Sequence, residues 1–196
     1  MEQSEQKKAG RWKLLAVFAV CVAPLIASYL AYYVIKPQGR TNYGTLIDPR
    51  AHPVPALGTT TLQGKQVALD ALKGKWIMLQ ISDAECSQAC QKRLHDMRQL
   101  RLTQGKDMDR IERVWLVTDN APLETLLMRE YEGTHMLRVK PEAVQTWLPA
   151  EPDTSVADHI YMIDPLGNLM MRFPKDADPG KIKKDLAKLL KASRIG

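Results

Sequence analysis

The chain has 196 residues, three cysteines and a formal net charge of +6, which leaves room for one ordinary domain and one further segment. Its lysines and arginines are dispersed, and the one dense cluster, 181–184, has the spacing of the solvated face of an amphipathic helix. Because no series of aromatic residues accompanies the charge, the composition argues against a protein that binds nucleic acid.

An uncharged, largely apolar stretch occupies residues 14–35, after a short polar tail at 1–13. Since about 20 apolar residues cross a bilayer, this stretch predicts one transmembrane helix, and Pro24 is tolerated within it. A cleaved signal peptide is the alternative, but the apolar core of such a peptide is shorter, about 7–15 residues. No good cleavage site follows the apolar core, so we expect an uncleaved anchor.

The positive charges around the anchor predict its orientation. The cations on the N-terminal flank are Lys7, Lys8, Arg11 and Lys13, whereas the nearest on the other side are Lys36 and Arg40. Because positive charge favours the cytoplasmic side, we expect residues 1–13 to be cytoplasmic. In a bacterium this predicts a single-pass protein of the inner membrane whose C-terminal domain lies in the periplasm, where paired thiols can be oxidised.

Residues 36–58 are rich in proline and glycine and predict a linker, which leaves 59–196 as the globular domain. Two near-continuous apolar runs predict buried strands, and each is followed by a helical pattern. The predicted strands of this half are 66–69, 76–82 and 113–118, and the predicted helices are about 85–102 and one that opens at 119–122.

The second half of the domain continues with a short strand and helix, then a hairpin and a terminal amphipathic helix. These elements are predicted at 135–139, 141–148, 159–164, 168–173 and 179–192. Strands that alternate with helices imply parallel pairing with right-handed crossovers, and the hairpin adds antiparallel strands. The order predicts an α/β, thioredoxin-like fold, in which helices flank a central mixed sheet.

The junction between the first buried strand and its helix contains Cys86 and Cys90, and Cys21 lies inside the apolar span. A cysteine in the first turn of a helix is favoured as thiolate by the helix dipole and the unpaired backbone N–H groups. The carboxylates of Asp83 and Glu85 act in the opposite sense. Two thiols four residues apart can hold one metal ion or close a disulfide, and a buried structural pair is the alternative.

Asp158 and His159 stand at the head of the predicted hairpin. In a thioredoxin-like order the loop before this hairpin passes beside the thiol-bearing turn, so we expect His159 to approach Cys86 and Cys90. Two sulfurs and one imidazole suit Cu(I), and Asp158 would be an outer partner of the imidazole. These three residues, Cys86, Cys90 and His159, are the predicted metal ligands.

With these motifs the chain resembles the Sco/SenC family of membrane-anchored, thioredoxin-like copper proteins, which take part in assembly of the CuA centre of cytochrome c oxidase. The resemblance rests on the anchor, the Leu-Lys-Gly-Lys turn at 72–75, the two cysteines with three residues between them, the Asp-His pair, and Asp-Pro-Leu-Gly at 164–167. The family usually has proline directly after the second cysteine, where this chain has Gln91.

The resemblance implies that Cys86, Cys90 and His159 bind a copper ion. It further implies a partner that is the oxidase subunit carrying CuA, or another periplasmic copper or thiol protein. The expected function is delivery of Cu(I), or maintenance of the CuA thiols, by a metallochaperone rather than an enzyme. Two alternatives remain open: a thiol-disulfide oxidoreductase in which Cys86 attacks and Cys90 resolves, and a non-catalytic thioredoxin-like interaction domain with a structural disulfide.

Overall fold

The computed structural model describes residues 2–35 and 42–195, which fall into an N-terminal unit that ends at Thr41 and a second unit that begins at Asn42. The N-terminal unit is helix α1, Glu2–Leu30, which continues as a π-helical turn over Ala31–Ile35. Within it, Leu15–Val34 is long and apolar enough to cross a membrane. This stretch corresponds to the predicted transmembrane helix.

The second unit contains a seven-stranded mixed sheet with helices on both faces. Its strands are β1 Thr45–Leu46, β2 Thr60–Thr61, β3 Trp76–Ser82, β4 Ile111–Val117, β5 Thr134–Arg138, β6 Tyr161–Ile163 and β7 Leu169–Arg172. Its helices are α2 Gln88–Leu102, α3 Thr125–Glu130, α4 Pro141–Trp147 and α5 Pro179–Ala192. The strand order is β1-β7-β6-β3-β4-β5-β2. Strands β3, β4 and β5 are parallel to one another, and β6 pairs antiparallel with β3 on one side and with β7 on the other. The predicted thioredoxin-like fold is confirmed.

Strand β3 is central and is buried along its whole length. Successive side chains of a strand point to opposite faces, and the two faces of β3 meet different helices. We call the side of Ile77, Leu79 and Ile81 the α4 face, because these residues share a core cluster with residues of α4. We call the side of Met78, Gln80 and Ser82 the α2 face, because Met78 shares a cluster with residues of α2 and α5.

The segment before β2 belongs to the folded unit to a greater extent than the predicted linker, 36–58, implies. The backbone N–H groups of Tyr43 and Gly44 donate to Oδ2 of Asp185 at 2.7 and 2.9 Å, and Asp185 is only 2% exposed. Strand β1, which follows Gly44 in the chain, pairs with β7. The domain therefore begins near Asn42, while residues 36–41 of the predicted linker lie outside the described residues.

Local hydrogen bonds explain where the helices begin. Helix α5 starts as predicted, because Asp178 caps the N–H groups of Gly180 and Lys181 and a proline follows at the first helical position. Helix α2 begins later than predicted, at Gln88, because Ser87 is its capping residue.

Two other elements of the first half differ from the sequence-based expectation. The helix predicted to open at 119–122 begins only at Thr125, and the Asp119 carboxylate instead accepts the N–H of Ala84 at 3.2 Å. The strand predicted at 66–69 is reduced to one bridge between Gln66 and Thr60, followed by a 3-10 turn over Leu69–Leu72.

Candidate thiol site

Cys86 and Cys90 form a disulfide between the end of β3 and the first turn of α2, with their Cα atoms 5.2 Å apart. Cys90 lies in the helix, but Cys86 precedes the cap and has a φ of +48°. This is the left-handed region, which non-glycine residues seldom adopt. The two sulfurs therefore meet across a turn, and not along one face of a helix as the four-residue spacing suggests.

Three hydrogen bonds hold this turn. The N–H of Cys86 donates to Oδ1 of Asp83 at 3.1 Å, and the N–H of Cys90 donates to Oγ of Ser87 at 3.4 Å. The side-chain amide of Gln91 donates to the carbonyl oxygen of Cys86 at 2.9 Å. The backbone N–H of Gln91 also bonds the Ser87 carbonyl at 2.9 Å, and a proline at this position would remove that bond.

The sulfurs are enclosed, since Cys86 is 0% and Cys90 1% exposed, yet a polar group lies beside them. The hydroxyl oxygen of Ser82 is 3.1 Å from Sγ of Cys90 and accepts the indole N–H of Trp115 at 2.8 Å. An indole N–H only donates, so the hydroxyl proton of Ser82 is left for the sulfur or for the Asp83 carbonyl, which is 3.0 Å away. Ser82 can therefore donate a hydrogen bond to a thiolate at Cys90.

Gln80 is the second buried polar residue on the α2 face. Its Nε2 donates to the carbonyl oxygen of Cys90 at 3.2 Å, while its Oε1 is buried and has no hydrogen-bond partner among the described residues. The sequence analysis did not identify Gln80, Ser82 or Trp115 as part of the site. A signal was present in the sequence, because two polar residues spaced by two in an otherwise apolar strand must face the same side.

His159 is fully buried, and both of its ring nitrogens are engaged. Nδ1 lies 2.9 Å from the carbonyl oxygen of Phe173, and Nε2 lies 2.7 Å from Oγ1 of Thr154. A carbonyl only accepts, so Nδ1 carries the proton, and the Thr154 hydroxyl has two acceptors within reach, Nε2 of His159 and the carbonyl oxygen of Glu151 at 2.9 Å. Burial lowers the pKa of His159 below its ordinary value, although the bond to the Phe173 carbonyl acts in the opposite sense. The imidazole is thus held neutral.

The ring of His159 lies on the opposite side of the sheet from the sulfurs. It packs edge-on against Tyr161, with ring centroids 6.0 Å apart, and Tyr161 is in the α4-face cluster with Leu79. Cys90 contacts Ser82 on the α2 face. In this disulfide-bonded structure the expected approach of His159 to the cysteines is not seen.

Strand alternation brings the neighbours of His159 to the α2 side instead. Asp158 and Ile160 line a cavity of about 70 Å³ together with Ala89 and Arg93 from the first turns of α2. The Asp158 carboxylate accepts the N–H of Ser155 at 3.0 Å, and this bond lowers the pKa of Asp158. The expected hydrogen bond between Asp158 and the imidazole of His159 is therefore not seen, since both ring nitrogens contact other residues.

The residues as they stand do not fit a copper ion. Over residues 2–35 and 42–195, no three His, Cys, Asp or Glu side chains are grouped so that they could hold a metal. The two sulfurs are bonded to each other, and Nε2 of His159 is bonded to Thr154. Binding of copper by all three predicted ligands would require reduction of the disulfide and a new position for the imidazole.

Comparison with known families gives two matches to the chain. The family model described as transmembrane-like, thioredoxin-like, C-terminal domain matches residues 76–193, and the one described as transmembrane-like, N-terminal domain matches residues 3–34. A search of curated proteins gave no significant match. The N-terminal match and the apolar helix together indicate that the chain is anchored in a membrane.

Solved structures with the same fold include both thiol and copper proteins. A thiol:disulfide interchange protein from Bacteroides sp. is 17% identical over 73% of this chain and 91% of its own, with a TM-score of 0.53. A SCO1/SenC family lipoprotein from Bacillus anthracis is 16% identical over 74% and 99%, with a TM-score of 0.53. Yeast Sco1 with copper bound is 17% identical over 71% and 91%, with a TM-score of 0.51. The resemblance to the Sco/SenC family is thereby confirmed for the fold, and at these identities the likeness shows the fold alone.

Proposed function

The chain belongs to the transmembrane-like, thioredoxin-like family, and from this premise we propose that it is a membrane-anchored thiol-disulfide protein whose redox pair is Cys86 and Cys90. The observation that carries the proposal is the Ser82 hydroxyl, 3.1 Å from Sγ of Cys90. A purely structural disulfide needs no hydrogen-bond donor beside its sulfur. A thiolate released at Cys90 is stabilised by a charge-assisted hydrogen bond and by the start of α2.

The exchange proceeds through the sulfur of Cys86. A thiolate of the partner attacks Sγ of Cys86, a bond forms between the two sulfurs, and the bond to Cys90 breaks. The electron pair stays on Cys90, which leaves as a thiolate beside Ser82. A second partner thiolate then attacks the partner's own sulfur in the mixed disulfide and releases Cys86. The partner ends as a disulfide and this chain as a dithiol, so two electrons pass between them.

Access to Cys86 requires that the turn around it opens. Both sulfurs are buried, and the turn is held by the bonds that Asp83 and Ser87 accept and the one that Gln91 donates. The left-handed backbone of Cys86 acts against these bonds, because such a conformation costs on the order of 1 kcal/mol or more for a residue with a side chain. A docked partner that displaces the Gln91 amide would expose the sulfur.

The proposed location is the bacterial inner membrane, with the thioredoxin-like domain in the periplasm, as the charges around the anchor favour. The partner that fits this position is a periplasmic protein with paired cysteines close to the membrane surface. The CuA-bearing subunit of cytochrome c oxidase is the partner that the Sco/SenC resemblance suggests.

Trapping of a mixed disulfide tests the redox proposal. The trap captures the reverse reaction: in the full Cys90→Ser chain in its membrane, the Cys86 thiolate attacks a disulfide of the partner and releases one partner thiolate. Because no Cys90 thiol is left to resolve the mixed disulfide, a covalent complex that dithiothreitol releases should accumulate. Cys86→Ser is the matched control and should accumulate far less. Equal, negligible trapping by both variants, with a wild-type disulfide that resists dithiothreitol until the chain unfolds, would show that the disulfide is structural.

Cu(I) binding by the reduced chain is a second candidate function, and one observation favours it. His159 is neutral with an unprotonated Nε2, which is the form of imidazole that ligates a metal. The reduced pair would supply two soft sulfurs, and the imidazole would have to leave Thr154. Delivery of this copper to the oxidase subunit would be the corresponding role in assembly.

Competition titration of Cu(I) into the reduced full chain tests the second candidate. About one copper should bind per chain, and His159→Ala should weaken binding if the imidazole is a ligand. Thr154→Val removes the hydroxyl that occupies Nε2 and should strengthen binding. Identical affinities in the wild type and both variants would exclude His159 from the copper site, and no binding would exclude the candidate altogether.

A further inference from the structure

A groove of about 730 Å³ lies away from the thiols, between the C-terminal half of α2, the start of β4 and the end of α3. Four arginines line it: Arg98, Arg101, Arg113 and Arg129. We propose that this groove binds an oxyanion of the phosphate-ester class. Arg98 is eight residues beyond Cys90, or about 12 Å along the helix, so the groove is separate from the thiol site.

The central observation is Arg113, which is 6% exposed and forms no ion pair among the described residues. Its Nη2 donates to the carbonyl oxygen of Glu132 at 2.8 Å, while Nε and Nη1 are buried and have no partner in the same part of the chain. Buried charges in proteins are normally paired, because removing a charge from water is costly. A guanidinium with only a neutral partner therefore indicates that a negative charge is missing from this groove.

The other three arginines of the groove add to its positive charge. In the described part of the chain, Arg98 and Arg129 form no ion pair, and Arg98 donates only to the carbonyl of Glu130, at 3.0 Å. Arg101 pairs with Asp109 at 3.0 Å, but this carboxylate is 77% exposed. Burial lowers the pKa of Arg113, and the charges of Arg101 and Arg98 lower it further.

The groove also contains glutamates, but over residues 42–195 none of their carboxylates forms an ion pair with one of the four arginines, although the charge of Glu112 raises the pKa of Arg113 and so offsets part of the effect of burial. Glu112 is bonded to Nε2 of His135 at 3.2 Å. Glu130 and Glu132 bond the arginines through their backbone carbonyls and not through their carboxylates. The groove therefore keeps an excess of positive charge that an anionic ligand would offset.

A phosphate ester is the ligand class that suits this arrangement. Guanidinium groups form paired, charge-assisted hydrogen bonds to phosphate oxygens, and four of them line this groove. The volume exceeds what a single inorganic phosphate fills, which leaves room for an organic group attached to it. The phosphate could come from a soluble ester or from the headgroup of an anionic lipid, and these two sources share the same chemistry.

Calorimetric titration with inorganic phosphate at low salt tests the site, with the full chain in phosphatidylcholine nanodiscs. The double variant Arg98→Gln/Arg129→Gln changes exposed side chains, so it should fold, and it should weaken phosphate binding about tenfold. Arg50→Gln, which removes an exposed arginine that follows the edge strand β1 and does not line the groove, should bind as the wild type does. Equal binding by all three proteins, or none by the wild type, would overturn the proposal.

A second measurement locates the site and distinguishes the sources. Amide exchange of residues 129–135 should slow in the wild type, and not in the double variant, when glycerol phosphate is added or when phosphatidylglycerol replaces phosphatidylcholine in the nanodiscs. Protection by glycerol phosphate supports a soluble ester, and protection by phosphatidylglycerol alone supports a lipid headgroup. Protection by neither, or protection that persists in the double variant, would contradict an oxyanion site in this groove.

Discussion

Trp115 donates its indole N–H to the hydroxyl of Ser82 across 2.8 Å, and this bond sets what the hydroxyl can do. Both residues are buried on the α2 face, where β3 and β4 pair in parallel. Since the indole occupies a lone pair of the oxygen, the hydroxyl proton is directed away from Trp115. Sγ of Cys90 and the carbonyl of Asp83 are the acceptors within reach.

Ser82→Ala should lower the fraction of Cys90 that is thiolate at neutral pH and make Cys90 a poorer leaving group. The loss of a hydrogen bond to a charged sulfur corresponds to about a tenfold smaller thiolate population. The measurement is the rate of iodoacetamide alkylation at neutral pH, in a chain that also carries Cys21→Ala and Cys86→Ser, so that Cys90 alone reacts. Ser82→Thr keeps a hydroxyl at this position and is the matched control, with an expected change of less than about threefold. Equal alkylation rates with and without the Ser82→Ala change would show that the hydroxyl faces Asp83.

Gln91 should determine how readily the turn around Cys86 opens. Gln91→Ala removes only the side-chain bond to the Cys86 carbonyl and should speed reduction by dithiothreitol, with a loss of about 1 kcal/mol in unfolding free energy. Gln91→Pro also removes the N–H bond to Ser87 and should cost about 1–3 kcal/mol. Reduction rates and denaturant unfolding of the three proteins measure both effects. A proline variant as stable as the wild type would mean that the Ser87 bond contributes nothing.

The strands and the terminal helix could be predicted from the sequence because their signals are local. Asp178 and Pro179 fix the start of α5, and the apolar runs mark β3 and β4. The face occupied by His159 could not be predicted. Residues 159–163 are buried throughout, so no alternation between polar and apolar residues shows which of Asp158 and His159 faces the cysteines.

The stability of the metal-free chain should fall as the pH drops below about 6.5, the ordinary pKa of histidine. Burial lowers the pKa of His159 in the folded chain, so between the folded and unfolded pKa values the unfolded state binds more protons. The free energy of unfolding therefore rises with pH in this range, with a slope of at most about 1.4 kcal/mol per pH unit. Above the pKa that histidine has in the unfolded chain, His159 no longer lowers it. Urea unfolding at pH 5.5 and pH 7.5 measures the difference.

His159→Gln is the control for this pH dependence. It removes the titrating group, whereas His52, His95 and His135 remain in the variant. The stability difference between the two pH values should shrink relative to the wild type. An unchanged difference would assign the pH dependence to groups other than His159.

Asp185 should be among the most sensitive positions far from the thiols. Its buried carboxylate accepts the N–H groups of Tyr43 and Gly44, and removal of an acceptor leaves both donors unsatisfied. Asp185→Ala should lower the unfolding free energy by about 2–4 kcal/mol, and Asp185→Asn, which keeps one carbonyl oxygen, by about half as much. Denaturant unfolding measures both variants. Equal costs for the two would mean that the bonds from Tyr43 and Gly44 contribute little.

The start of α2 shows why the geometry of the thiol pair was beyond sequence reasoning. The spacing of Cys86 and Cys90 fits one helical face, and only the capping by Ser87 excludes Cys86 from the helix. Asp83 is a second residue of the type that caps helices, so the sequence offers more than one place for α2 to begin. Between these two residues, Ala84 donates its N–H to Asp119 from a different part of the chain, and a contact of this range cannot be predicted from the local sequence.

The clamp between Asp185 and the N–H groups of Tyr43 and Gly44 decides where a recombinant soluble fragment can begin. A fragment cut at residue 59, where composition alone places the domain, would lack the partners of a buried carboxylate and would leave β7 without its neighbour β1. A Cβ atom at position 44 would clash with the side chain of Met171, so a fragment whose residue 44 comes from an expression tag also needs glycine there. A soluble fragment that is to fold as the domain does in the whole protein therefore has to include Asn42, Tyr43 and Gly44.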